Sequence, residues 1–252
     1  MTTSAPSYRE TVLRLKSAQK SNRGAAGYSR WVNRPLGRRL AAGAYLTGLT
    51  PNQVSCLSAT FTYAAIAVIA VVRPSWPMAV LVTLALVLGY ALDSADGQVA
   101  RLRGGGSIDG EWLDHVFDAL KIATFHLAVA VSWYRFYGLA HPSLLLVPLA
   151  FSAVSSTFFF AITLSDFLRR VDRAKAGGSV VTTASLNPDE RAGVLRSLVV
   201  LPNDYGLLCL LLVLLPVHDA FIVLYTALTV ANLGFLVVGA ARWLREMRAL
   251  GA

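Results

Sequence analysis

Charge is what this sequence has least of. Asp, Glu, Lys and Arg together make up 15% of its 252 residues, against 55% apolar residues and a mean hydropathy of +0.55. Soluble domains carry roughly 25% charged residues, so the composition excludes an ordinary soluble fold and points to a membrane protein. Cysteine is nearly absent: Cys56 and Cys209 both fall in apolar runs, which leaves no disulfide framework and no thiolate metal site. The first 50 residues lack an uninterrupted apolar core beside a small-residue cleavage site, so no secretory leader is expected. No short repeat is present. Acid is scarcer than base, with 14 Asp and Glu against 23 Lys and Arg.

A hydrocarbon core about 30 Å thick needs roughly 20 apolar residues per helical crossing. Six runs approach that length: Val54 to Val72, Met78 to Arg101, Trp112 to Tyr134, Ser143 to Ser165, Leu198 to Val217 and Ala220 to Ala241. The expected fold is therefore all-α, an integral membrane bundle of six transmembrane helices. An interfacial amphipathic helix is expected over 28–49, where Trp31, Val32 and Leu36 alternate with Arg30, Arg34, Arg38 and Arg39. Residues 1–27 are expected to be a mobile cytoplasmic N-terminus, and 50–252 the membrane domain.

Of the 23 basic residues, 20 fall in the first 50 residues, at Arg101 and Arg103, between Arg169 and Arg196, and in the C-terminal tail. Short loops rich in Lys and Arg stay in the cytoplasm, so both termini and the Arg101 loop are assigned there, in a multi-pass protein of the cell membrane. The same spread over four segments argues against nucleic-acid binding, despite a net charge of +9.

Six of the fourteen acids lie between Asp93 and Asp118, at the cytoplasmic ends of two consecutive runs. Asp93 and Asp96 share a helix face, with Gly97, Ala100 and Arg101 continuing it; Asp114 and Asp118 share another, followed by Lys121. The short glycine-bearing connection predicts antiparallel neighbours with converging acids. Four ionised carboxylates at that depth would each cost about 2.5 to 3.5 kcal/mol, with only Arg101 and Lys121 nearby to offset them. Hard divalent cations, Mg2+ or Mn2+, suit such oxygen ligands, and two ions can serve phosphoryl chemistry. Gly97, Ala100 and Gly110 leave a groove for a nucleotide, beside a guanidinium at Arg101 that suits pyrophosphate.

The array Asp93, Asp96, Gly97, Ala100, Arg101, Gly110, Asp114 and Asp118 resembles, at every fixed place, the D-x2-D-G-x2-A-R-x8-G-x3-D-x3-D signature of the CDP-alcohol phosphotransferase family. The resemblance implies that Asp93, Asp96, Asp114 and Asp118 hold two metal ions and that Asp118 is also the base for the acceptor hydroxyl. It further implies that Gly97, Arg101 and Ser107 line the CDP site, with Asn52 and Gln53 as additional contacts. The implied reaction moves a phospho-alcohol or phosphatidyl group from a CDP-alcohol to an acceptor hydroxyl and releases CMP, in phospholipid or inositol-phosphate-type synthesis. A homodimer is implied in the same way.

Two donors stay open. CDP-diacylglycerol is one; the other is a soluble CDP-inositol, to whose users the stretch from Ser29 to Pro35 looks similar. The acceptor, phosphorylated or not, is expected to be read by Lys121, Arg169, Arg170, Arg196, Asn203 and Asp204, the last two inside the fifth run after Pro202. Two rival readings are a transporter or channel, and a purely structural metal site. The acids gather at one face rather than along a path across the bilayer, and a structural site does not account for Gly97, Ala100 and Arg101.

Overall fold

The computed structural model describes residues 7–17, 26–175, 197 and 199–250. Among these, all regular structure is helical. α1 spans Tyr8–Ser17, a π-helical turn at Ser29–Asn33 leads into α2 (Arg34–Leu46), and α3 (Pro51–Val71), α4 (Trp76–Leu102) and α5 (Ile108–Phe136) follow. A 3-10 turn at Pro142–Leu145 opens α6 (Leu146–Lys175); then come α7 (Tyr205–Leu211) and α8 (His218–Leu250). Among the described residues five segments are long and apolar enough to cross a membrane: α3, α4, α5, Pro142–Lys175 and α8.

The helix starts are written in the sequence. Thr50 and Gln53 form a reciprocal capping box at α3 with Pro51 at the first position, and Ser75 and Ser107 cap α4 and α5 through Met78 N and Gly110 N. α4 ends at Gly104 and Gly105, whose φ values of +98° and +140° suit glycine. Arg103 Nη2 donates to the carbonyls of Gly48 and Leu49 at 2.9 Å each, tying the α4–α5 connection to the one before α3.

The expected fifth run, Leu198 to Val217, is not one continuous helix among the described residues. It holds a 3-10 turn at Leu201–Asn203, then α7, then a second 3-10 turn at Leu212–Leu214. Pro202 has no N–H to continue a helical ladder, and the Asp204 side chain accepts from Gly206 N to start a new helix. Tyr205–Leu214 spans about 15 Å, half the hydrocarbon core. Asn203 and Asp204 therefore lie before a short helix, not inside a long one.

At the N-terminus, where a mobile segment is expected, α1 packs on α2 with Thr11 and Leu15 buried, and Tyr8 Oη donates to Arg39 O at 3.1 Å. α2 buries Gly37, Ala41, Ala42 and Ala44 and packs on α4, while Trp31 and Val32 in the preceding turn remain exposed. The α2–α4 approach is close: a Cβ on Gly37 would stand 2.9 Å from Ala91 O. Farther along the bundle Phe125, Trp133, Phe221 and Tyr225 form an aromatic core from α5 and α8.

Gly206 gives the tightest fit. A Cβ there would lie 1.9 Å from the ring of Tyr28, which is itself buried and stacked on Tyr90 with centroids 6.2 Å apart. Gly206→Ala is expected to destabilise the fold by about 1–3 kcal/mol through overpacking. Thermal unfolding in detergent should show a midpoint lower by several degrees, at roughly 2–4 °C per kcal/mol for a chain of this size. An unchanged midpoint would mean that the Tyr28 contact yields without cost.

Candidate active site

α3 packs against both α4 and α5, whereas direct contact between α4 and α5 is slight, so the two acidic helices converge across α3 rather than as simple neighbours. Asp93 from α4 and Asp114 and Asp118 from α5 each offer a carboxylate oxygen, and these oxygens lie within 4.8 Å of one another. A small cavity beside them is walled by Asp93, Asp114, Asp118, Lys121, Ser55 and Tyr63. The Lys121 ammonium donates to Asp118 Oδ1 and stands over the Tyr205 ring, 5.1 Å from its centroid.

Asp96, the fourth carboxylate, stands slightly apart. Its Oδ2 accepts from Ser55 Oγ at 2.5 Å and its Oδ1 from its neighbour's backbone, Gly97 N, at 2.5 Å, and the residue is buried. The donor set is thus oxygen only, with no thiolate or imidazole among the converging groups, and it fits a hard divalent cation.

The small residues have different reasons. A Cβ on Gly97 would meet only Arg101 Nη1, at 3.7 Å, so packing does not require glycine there and its surface is open. At Gly110 a Cβ would meet Ser107 Oγ at 3.0 Å and Asn52 Oδ1 at 3.1 Å, so this glycine admits the start of α3 against the start of α5. Asn52 Nδ2 donates to Asp109 Oδ2 at 2.9 Å, Ser107 caps α5, and the Gln53 side chain accepts from Thr50 N. Those three side chains already have structural partners.

Arg101 keeps one donor free: its Nε is buried and makes no hydrogen bond, while its charge is felt by Asp96. Ala100 beside it is buried, and Arg34 from α2 lies close enough for the two guanidinium charges to interact. Burial pushes the Arg34 guanidinium below its usual value, with the Tyr90 phenol opposing and Arg30 adding to the shift. Burial does the same at Arg38, whose Nε is likewise buried without a partner. Arg34 as a neighbour of Arg101 was not legible from spacing, because 67 residues separate them.

A second, far larger cavity of about 850 Å³ opens between α5, α6, α7 and α8. Asp118 is on its wall, as are Arg170, Asn203 and Asp204 among the expected acceptor residues, together with Asn232, which sequence reasoning missed. Asp204 is buried and accepts from Ser29 N and Gly206 N at 3.0 Å each. Arg170 pairs with Glu111 at 2.5 Å. Arg169 faces elsewhere, bridging Asp166 and Glu246 at 2.5 Å each and so joining α6 to α8. Arg196 lies outside the described residues. His126 is a packing histidine, hydrogen-bonded with Tyr225 Oη at 2.6 Å and Ser155 Oγ at 3.2 Å.

Among the described residues, five apolar helices suggest a multi-pass membrane protein, and its half-buried carboxylate cluster is one that could hold a metal ion. The chain belongs to the CDP-alcohol phosphatidyltransferase family, whose model matches residues 48–238. It is accordingly a transferase that moves a phospho-alcohol group from a CDP-alcohol. The matched region contains every acid of the cluster and both cavities, and excludes α1 and α2. No curated protein matches the chain closely enough to serve as a named relative.

Proposed function

We propose that the chain catalyses divalent-metal-dependent transfer of a phospho-alcohol group from a CDP-alcohol to an acceptor hydroxyl, releasing CMP. The observation that carries this reading is the position of Asp118. It belongs at once to the converging carboxylates and to the wall of the large cavity. Asp93, Asp114 and Asp118, with Asp96 beside them, would hold the metal, two ions of Mg2+ with Mn2+ as a substitute, which when bound would stabilise charge developing on the transferring phosphate.

The residues of the chain do the rest. The open surface at Gly97 receives the CDP moiety, with the buried Ala100 packed beneath it, and the Arg101 guanidinium donates to its phosphates, with Arg34 adding positive charge. Ser107 and Asn52 keep the α5 start and the α3 start together at the edge of that groove, and Gln53 fixes the α3 start. The acceptor hydroxyl oxygen forms a bond to the phosphorus bearing the donor alcohol. The bond from that phosphorus to the CMP oxygen breaks, its electron pair departs on CMP, and the hydroxyl proton passes to Asp118. Arg170, Asn203 and Asp204 border the acceptor; Lys121 orients Asp118.

Purified protein assayed against CDP-diacylglycerol, CDP-inositol and other CDP-alcohols, with CMP as the readout, tests the reaction and decides the donor. Failure to release CMP from every pair would sink the reading. Arg101→Ala is expected to raise the donor KM about tenfold or more, as loss of one charge-assisted hydrogen bond worth about 1.5–3 kcal/mol. The acceptor KM should stay within about twofold, and a donor KM that does not move would remove Arg101 from the phosphate site.

The distribution of Lys and Arg supports a cell-membrane protein with the site and both termini on the cytoplasmic side, which requires the broken segment 201–217 to return the chain across between α6 and α8; Tyr137 Oη at the far end of α5 donates to Leu215 O at 2.8 Å, and cysteine accessibility at positions 103 and 73 tests the orientation. A homodimer is part of the same reading, and crosslinking in intact membranes tests it.

A further inference from the structure

Lys121 has two partners of different kinds. Its ammonium donates to Asp118 Oδ1 and stands over the Tyr205 ring, 5.1 Å from the centroid, with the side chain 13% exposed. A lysine carries a compact charge on a flexible four-carbon stem, so a carboxylate three residues back on the same helix does not by itself fix it. A ring face adds a second attraction from a different helix, and the two together hold the ammonium in one place.

Tyr205 opens α7, and the break at Pro202 leaves no continuous helix before it, so its placement depends on side-chain contacts. Its ring stands edge-on to Tyr90 of α4, with centroids 5.2 Å apart, and to Phe125 of α5 at 5.9 Å. Tyr90 is stacked in turn on Tyr28, whose ring occupies the notch left by Gly206. Asp204, one residue before Tyr205, is buried and uses both carboxylate oxygens: Oδ1 accepts from Gly206 N and Oδ2 from Ser29 N, at 3.0 Å each. Residues 28 and 29 therefore hold the start of α7 by a ring and by a charge-assisted hydrogen bond. Both lie outside the family-matched residues 48–238.

Of the three converging acids, Asp118 alone also lines the large cavity. With its Oδ1 engaged by Lys121, the place of the ammonium sets how the carboxylate is turned. Misplacement of a reacting group costs rate more than binding.

We propose that Tyr205 is a positioning residue for the transfer: its ring holds the Lys121 ammonium, which turns Asp118, and residues 28–29 hold Tyr205 through Asp204 and Tyr90. This rests on the transferase reading above, in which Asp118 takes the acceptor proton. Tyr205 acts through Lys121 and not on a reacting atom.

The test changes the charge of the ring and leaves its shape. In the full chain, purified in detergent, Tyr205→Phe keeps the ring face. Phenylalanines carrying successively more ring fluorines at position 205 then withdraw its negative charge with little change in volume. The assay uses a CDP-alcohol and acceptor pair that the wild type turns over, with CMP as the readout. Relative to Tyr205→Phe, kcat is expected to fall stepwise with fluorination, by about tenfold at the most fluorinated ring, the scale of one desolvated cation–π contact. Donor KM, acceptor KM and CDP binding at equilibrium should each stay within about twofold. Asp204→Asn, which replaces one of the two accepting oxygens by a donor, should also lower kcat and leave acceptor KM unmoved.

A kcat indifferent to fluorine would overturn the inference while leaving the transferase reading intact. So would a loss that appears in acceptor KM instead, which would make Tyr205 a wall of the large cavity and nothing more. No CMP from the wild type with any donor and acceptor would remove both.

Discussion

Asp118→Asn is expected to lower turnover by about 10³-fold or more while CDP binding, measured at equilibrium, survives. The substitution keeps the shape of the side chain and removes its charge. One carboxylate of the cluster is lost, and so is the group that takes the acceptor proton in the proposed mechanism; proton transfer by a positioned side chain is worth about 10²–10⁴-fold by itself. Lys121, whose ammonium donates to Asp118 Oδ1, loses its ionic partner at the same time. CDP should still bind, because Gly97 and Arg101 lie outside the cavity that Asp118 lines. A rate within tenfold of wild type would place the base elsewhere. Loss of CDP binding together with turnover would mean that Asp118 organises the donor site as well.

The sequence is explicit where one physical rule acts alone. A run of about 20 apolar residues must cross or be buried, so α3, α4, α5, α6 and α8 were each expected within a few residues of one end. Their polar extensions were not. α6 continues from the expected Ser165 to Lys175, and α8 from Ala241 to Leu250, because charged helix outside lipid needs no apolar signal. Hydropathy was equally silent about the break before α7, since a window average registers the leucines of 207–215 and not the missing N–H of Pro202 or the cap of Asp204.

The same division holds at the site. Spacing of three and four put the acids on helix faces, and the Asp93, Asp114 and Asp118 oxygens do converge. Spacing could not show that α3 lies between the two acidic helices, or that Ser55 donates to Asp96. Nor could it show that Arg169 is engaged by Glu246, 77 residues away, leaving Arg170 as the arginine on the cavity wall. Partners distant in sequence leave no periodic trace. Asn232 was passed over for that reason: inside an apolar helix it looks like one polar residue, and only the fold brings it beside Pro202 and the cavity.

Removing divalent metal is expected to cost at least about a hundredfold in CMP release, restored by Mg2+ or Mn2+. Three carboxylate oxygens within 4.8 Å of one another repel in a helix bundle where water is scarce, and the Lys121 ammonium is bonded to one of them, Asp118 Oδ1. Asp96 adds a fourth carboxylate whose charge acts on Asp114 and Asp118. Oxygen ligands at that spacing are what a hard cation selects, and stabilisation of transition-state charge by a bound metal is worth several kcal/mol, at 1.36 kcal/mol per tenfold in rate. Chelation should therefore act on turnover first and on folding second, since α3, α4 and α5 are held by capping and packing that do not involve the cluster. Thermal unfolding recorded with and without chelator separates the two effects. Full activity in excess chelator, with metal analysis showing none bound, would leave Lys121 as the charge that organises these acids and would end the metal assignment.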